Sequence, residues 1–159
     1  MQNRWTRKQI EFSNFSLSYI EGGNRNGIPV LFLHGWSVST EPYQDSLNAL
    51  AQKYWAIAPD LPGFGHSDYS GSLFSYQTYA NCILQLIERL NLAQFQLIGH
   101  SFGGGVALAV AAAIPEQVSS LIVINSTGMP LISIPDLIQR RFVELPQQIA
   151  QLRWTINEL

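Results

Sequence analysis

Four short, largely apolar runs, Pro29–Leu33, Tyr54–Ala58, Phe95–Ile98 and Leu121–Ile124, recur along the chain with helical patterns between them. Runs of four or five such residues are too short for a buried helix and read as strands covered on both faces. The intervening segments carry the other period. Pro42–Gln52 sets Tyr43, Leu47, Leu50 and Ala51 at helical spacing. Ser75 can cap a helix whose one face holds Tyr76, Tyr79, Ala80, Ile83, Ile87 and Leu90. Phe102–Ala113 is apolar nearly all round, hence a buried helix. Upstream, Gln9–Phe12 and Phe15–Glu21 flank the turn residues Ser13–Asn14 and predict a hairpin. A hairpin, three strand–helix units and a final strand predict an α/β fold: a mostly parallel sheet with helices on both faces.

Composition narrows the class. The 159 residues are 47% hydrophobic and 13% charged, which describes one globular domain with a real core and argues against disorder. The net charge is -2, and the nine Lys and Arg are scattered, so no nucleic-acid partner is expected. Arg4, Arg7 and Lys8 read as a solvated strand edge, not a binding patch. Cys82 stands alone, so no internal disulfide forms, and its place on an amphipathic helix predicts packing over reactivity. The polar first fourteen residues do not look like a signal peptide. The longest apolar stretch, Val106–Ile114, is too short to cross a bilayer. The expectation is a soluble cytoplasmic protein with no membrane partner.

The chemistry lies at Gly99-His100-Ser101-Phe102-Gly103, a G-x-S-x-G sequence. At average glycine and serine usage a chain of this size shows those three positions by chance about 5% of the time, so the context decides. Here the motif joins the apolar run FQLIG to the buried helix FGGGVALAVAAA. A serine on such a strand-to-helix turn has a strained backbone, and small residues two positions to either side let the chain pass. The turn also places Ser101 at a helix N-terminus, where free N–H groups face an anion. The Phe102 N–H can then hold the oxyanion of a tetrahedral intermediate. A second donor is expected from His34-Gly35-Trp36, directly after PVLFL, with the Trp36 N–H as the candidate. Asp60-Leu61-Pro62-Gly63-Phe64-Gly65-His66-Ser67 is a turn-rich loop in which Asp60 is free to accept bonds from its own turn.

These three segments, HGW, DLPGFGHSD and GHSFGG, resemble the α/β-hydrolase superfamily in order and spacing over about residues 10 to 128. Within it the chain is similar to small soluble carboxylesterases, among them the pimeloyl-carrier-protein methyl esterases. The resemblance implies that Ser101 is the nucleophile, that Trp36 and Phe102 supply the oxyanion hole, and that Asp60 and Gly63 build a loop without catalytic duty. Relatives that open epoxides or displace halide carry aspartate at the nucleophile position. Serine implies an acyl substrate, an ester or related small molecule. No metal or organic cofactor is expected.

The chain departs from the pattern in one respect. The family order is Ser, then Asp or Glu, then His, and none of the three histidines lies after residue 100. His100 adjoins the nucleophile and should point elsewhere, His34 belongs to the oxyanion loop, and His66 sits in a turn-rich loop. Asn125 stands where some relatives place the acid. The chain therefore reads as the front portion of a serine hydrolase, truncated before its acid and histidine, with negligible activity alone. The alternative is a non-catalytic interaction module. The family sheet order predicts that Leu121–Ile124 has one open side, an edge suited to self-association. Residues 1–128 are expected to form the core. Residues 129–159, divided by Pro130, Pro135 and Pro146, are expected to begin a helical lid or a surface helix pair.

Overall fold

The computed structural model describes residues 5–70 and 75–127; Arg4 and the expected lid helices of residues 129–159 lie outside them. The chain runs β1 (Thr6–Glu11), β2 (Phe15–Gly23), β3 (Pro29–Leu33), a 3-10 turn (Glu41–Tyr43), α1 (Gln44–Ala51), β4 (Trp55–Pro59), β5 (Asp68–Tyr69), α2 (Tyr76–Arg89), β6 (Phe95–His100), α3 (Phe102–Ala113) and β7 (Val118–Ile124). The strands form one sheet in the order β1-β2-β4-β3-β6-β7, with the two-residue β5 pairing β2. β1, β4 and β5 run antiparallel to β2. The central pairs β3–β4, β3–β6 and β6–β7 are parallel. This is the expected α/β fold, a mostly parallel sheet entered through a hairpin.

Strand alternation sorts the core into two layers. Leu31 and Leu33 of β3 face the layer of α2 and α3, where Ile83, Leu86, Val106 and Val110 are buried. Val30 and Phe32 face the opposite layer, against Leu47 of α1 and Ile20, Ala58 and Ile98 of the sheet. Ser75 caps α2 as expected, its hydroxyl accepting the Thr78 N–H at 3.2 Å. α3 has the bounds read from its sequence, and Gly103–Ala111 are all buried. Cys82 is buried, and that burial pushes its thiol up to about 11, the state of a packing residue. No helix among the described residues is long and apolar enough to cross a membrane.

Three expectations need correction. The helix expected over Pro42–Gln52 begins with a 3-10 turn, so Tyr43 precedes α1 and is free to point along the sheet end. The Leu121–Ile124 run is the end of a longer strand and is not covered on both faces: Leu121 is buried, but Ile124 is 43% exposed. β7 is also the last strand in the sheet among the described residues, the open side expected of it. Finally, the basic N-terminal strand is no mere solvated edge. Arg7 reaches across β2 to the fully buried carboxylate of Asp60 at 3.0 Å, and Lys8 pairs with Glu21 at 2.6 Å.

Candidate active site

β3 sits at the centre of the sheet, with β4 on one side and β6 on the other. The chain leaving β3 turns one way, and the chain entering β6 has crossed to the other side. Open α/β sheets bind ligands at such a reversal, outside the carboxyl ends of the two strands. The residues following these ends are His34-Gly35-Trp36 and Ser101-Phe102.

Ser101 has φ 52 and ψ -117 and immediately precedes α3. A positive φ is unfavourable for a residue with a Cβ, so the surroundings must hold it. They do so through the backbone. The Ser101 N–H donates to Ile124 O at 2.9 Å, tying the turn to the end of β7. Its carbonyl accepts the Gly104 and Thr127 N–H groups at 3.0 and 3.1 Å and the Thr127 hydroxyl at 3.2 Å. The motif glycines are sterically required: a Cβ on Gly99 would run into the Gly103 carbonyl, and one on Gly103 into the Leu33 and His34 carbonyls. The Ser101 side chain makes no capping bond, although it stands at the cap position. Its hydroxyl is left for another use, beside the free N–H groups of a helix start.

The structure brings the three sequence-selected residues together. The Trp36 ring packs edge-on against Phe102 at 4.9 Å and Phe64 at 5.0 Å, yet remains 56% exposed. Tyr76 and Tyr79 complete the aromatic wall around Phe102, at 5.2 and 4.8 Å. Gly35 comes so close to Ser101 that an added Cβ would lie 3.5 Å from Ser101 Cβ.

Each histidine is engaged elsewhere. His34 is fully buried, and the Leu61 N–H donates to its Nε2 at 2.8 Å. Its proton is therefore on Nδ1, which donates to the Gly35 carbonyl at 2.7 Å. Burial lowers the His34 pKa, against the opposing pull of the Gly35 carbonyl and the Asp60 charge. His66, 54% exposed on its side chain, lies 3.2 Å from Asp60. His100 Nδ1 lies 2.8 Å from the Tyr43 hydroxyl.

Asp60 does more than close its own turn. It accepts the His66 N–H at 3.0 Å as expected, and also the Thr40 N–H at 2.8 Å and Arg7. Burial alone would raise its pKa, but the bonds from Thr40 and His66 win and hold it below the ordinary 3.8. Through the Thr40–Asp60 and Leu61–His34 bonds, the 60–67 loop is fastened to the segment after β3. Sequence reading missed Tyr43, Thr127 and Arg7. Their signals, an aromatic before a helix, a threonine after a strand and a strand arginine, are too common to mark a site.

Stability should fall in two stages on acidification. Folded His34 resists protonation, so the unfolded chain takes up the proton first once pH drops below the ordinary 6.5. Asp60 does the same below 3.8, because its folded pKa is depressed. A urea midpoint that is unchanged from about pH 7 to about pH 5 would contradict the His34 assignment.

Comparison with known proteins decides the family. The family profile described as alpha/beta hydrolase fold matches residues 28–153. The chain belongs to the α/β-hydrolase family. This α/β-hydrolase chain is 30% identical over 125 residues to the soluble epoxide hydrolase of Corynebacterium sp. (strain C12), covering 79% of the chain and 43% of that protein. It is 37% identical over 113 residues to the non-heme chloroperoxidase of Streptomyces lividans, covering 70% of the chain and 41% of that protein. Among solved structures it matches a bacterial membrane phospholipase A with a TM-score of 0.74 and 29% identity, over 78% of the chain and 40% of that one. The α/β-hydrolase chain thus spans less than half the length of these relatives.

Proposed function

We propose that the chain carries the nucleophile and oxyanion hole of a serine hydrolase acting on an ester or related acyl bond. The observation that carries this reading is the conformation of Ser101: positive φ, a braced backbone and an uncapped hydroxyl at the start of α3. Ser101 Oγ attacks the acyl carbon and its proton passes to a general base. The carbonyl oxygen becomes an oxyanion received by the Phe102 and Trp36 N–H groups. Collapse expels the alcohol and leaves an acyl-serine, which water then hydrolyses. Removal of one such donor costs about 2.7–4 kcal/mol in the transition state. The relatives act through several chemistries by name, and serine at the nucleophile position favours the acyl branch.

The base is none of the three histidines described. His34 is neutral with both ring nitrogens bonded, His66 is held by Asp60, and His100 by Tyr43. The full activity belongs to the protein that brings a base and an acid to Ser101. A second reading, a non-catalytic interaction module that pairs along β7, is favoured by the exposed Ile124 on that edge.

Fluorophosphonate labelling of source-cell extract, followed by peptide mapping, separates the two. The acyl-hydrolase reading expects the phosphonyl group on the peptide containing Ser101. An unlabelled Ser101 peptide, in an extract whose other serine hydrolases label, would overturn it in favour of the module.

A further inference from the structure

Gly35 is gripped from both sides. Its carbonyl accepts the His34 Nδ1 proton at 2.7 Å, and its N–H donates to the Tyr43 hydroxyl at 3.2 Å. That hydroxyl is also within 2.8 Å of His100 Nδ1, a second hydrogen bond whose direction follows the His100 tautomer. The chain of bonds therefore runs from the backbone of the segment after β3, through Tyr43, to the residue preceding the nucleophile. It is packed tightly: a carbon added to Gly35 would lie 3.3 Å from both the Tyr43 hydroxyl and His100 Nδ1.

We propose that Tyr43 is a positioning residue that sets the Trp36 N–H of the oxyanion hole in register with Ser101. This rests on the acyl-hydrolase reading. The Gly35 carbonyl and the Trp36 N–H belong to one planar peptide unit and point in opposite directions. Whatever fixes the carbonyl fixes the donor. Glycine has the widest backbone freedom of any residue, so a donor following it would wander unless held. The His34 bond holds the plane after Gly35, and the Tyr43 bond holds the plane before it. Together they determine both torsions of Gly35.

Tyr43 is itself anchored away from the site. It stands in the 3-10 turn before α1, and its ring packs on Phe32 of β3 at 4.9 Å. The hydroxyl then reaches back to Gly35 and His100. The arrangement spares the reacting atoms any movement when charge develops, which is where donors of this kind are worth most.

Tyr43→Phe keeps the ring on Phe32 and removes only the hydroxyl. The test titrates the chain, Tyr43→Phe and Ser101→Ala with phenylboronic acid and with benzamide, and follows amide exchange at Gly35. The boron accepts a lone pair from Ser101 Oγ and becomes a tetrahedral anion as the serine proton leaves to solvent. Benzamide is a neutral, planar counterpart of the same ring. Tyr43→Phe is expected to weaken boronate binding about tenfold, through loss of the part-buried bond that holds the Gly35 N–H. It should leave benzamide binding unchanged and speed Gly35 exchange about tenfold. Boronate binding abolished by Ser101→Ala but equal in the parent and Tyr43→Phe would overturn the clamp and leave the nucleophile. Boronate binding that survives Ser101→Ala would overturn the serine reading. Gly35 exchange then decides the clamp by itself, and an unchanged rate overturns it.

Discussion

Ser101→Gly is expected to make the fold more stable by about 1 kcal/mol while reducing acyl turnover, in the protein that brings a base and an acid to Ser101, by on the order of a million-fold. The two effects have one cause. With φ 52 and ψ -117, Ser101 occupies backbone space that favours glycine, and such strain costs about 1–3 kcal/mol. Glycine removes the Cβ that creates the strain but enlarges the freedom of the unfolded chain, which returns about 0.5–1 kcal/mol. Ser101→Ala is the reference, because it removes the hydroxyl and keeps the Cβ. Urea unfolding at constant slope should place Ser101→Gly above Ser101→Ala, with neither labelling by fluorophosphonate. A glycine variant less stable than the alanine one would mean the turn stores no strain at this residue. The gain would mark Ser101 as a position where function is held at the expense of stability.

Asp60→Ala should lower stability by about 3 kcal/mol, at the lower end for a broken buried ion pair, since the Arg7 side chain keeps 35% exposure. The carboxylate is wholly buried and serves Thr40 N–H, His66 N–H, Arg7 and the His66 ring at once. Its loss leaves the buried Thr40 N–H without an acceptor. The 60–67 loop is also wrapped around this group: Gly65, at φ 56, would bring a Cβ within 2.5 Å of the Asp60 carboxylate. Asp60→Asn should recover only part of the loss. Its oxygen can still accept from Thr40, but its NH2 group would face the donors of Arg7 and His66. A thermal midpoint for Asp60→Ala within a degree or two of the parent would show that the buried carboxylate contributes little. For a domain of this size a loss of about 3 kcal/mol should lower the midpoint by roughly 6–12 °C.

The legible part of this molecule was local. α3 was readable to the residue because the elbow glycines begin it and Pro115 lies beyond its end. β3 was readable because five apolar residues can only be a strand covered on both faces. Elements at the sheet margin were read less well. β1 begins three residues earlier than its apolar pattern, since its pairing with β2 extends over Thr6–Lys8, whose side chains carry no apolar signal. β7 has the open side expected of it among the described residues, but it was misread as covered on both faces, because LIVI reads the same whatever packs against those faces.

By itself the sequence determined the α/β alternation, the serine turn and the close passage that its glycines allow, because each depends on neighbours within a few positions. Only the tertiary structure decided which distant side chains hold that turn's surroundings. Arg7 meets Asp60 across 53 positions, Tyr43 meets His100 across 57, and the Leu61 N–H meets His34 across 27. Such bonds stabilise only after the strands that carry them have been brought side by side, so no local pattern in the chain records them.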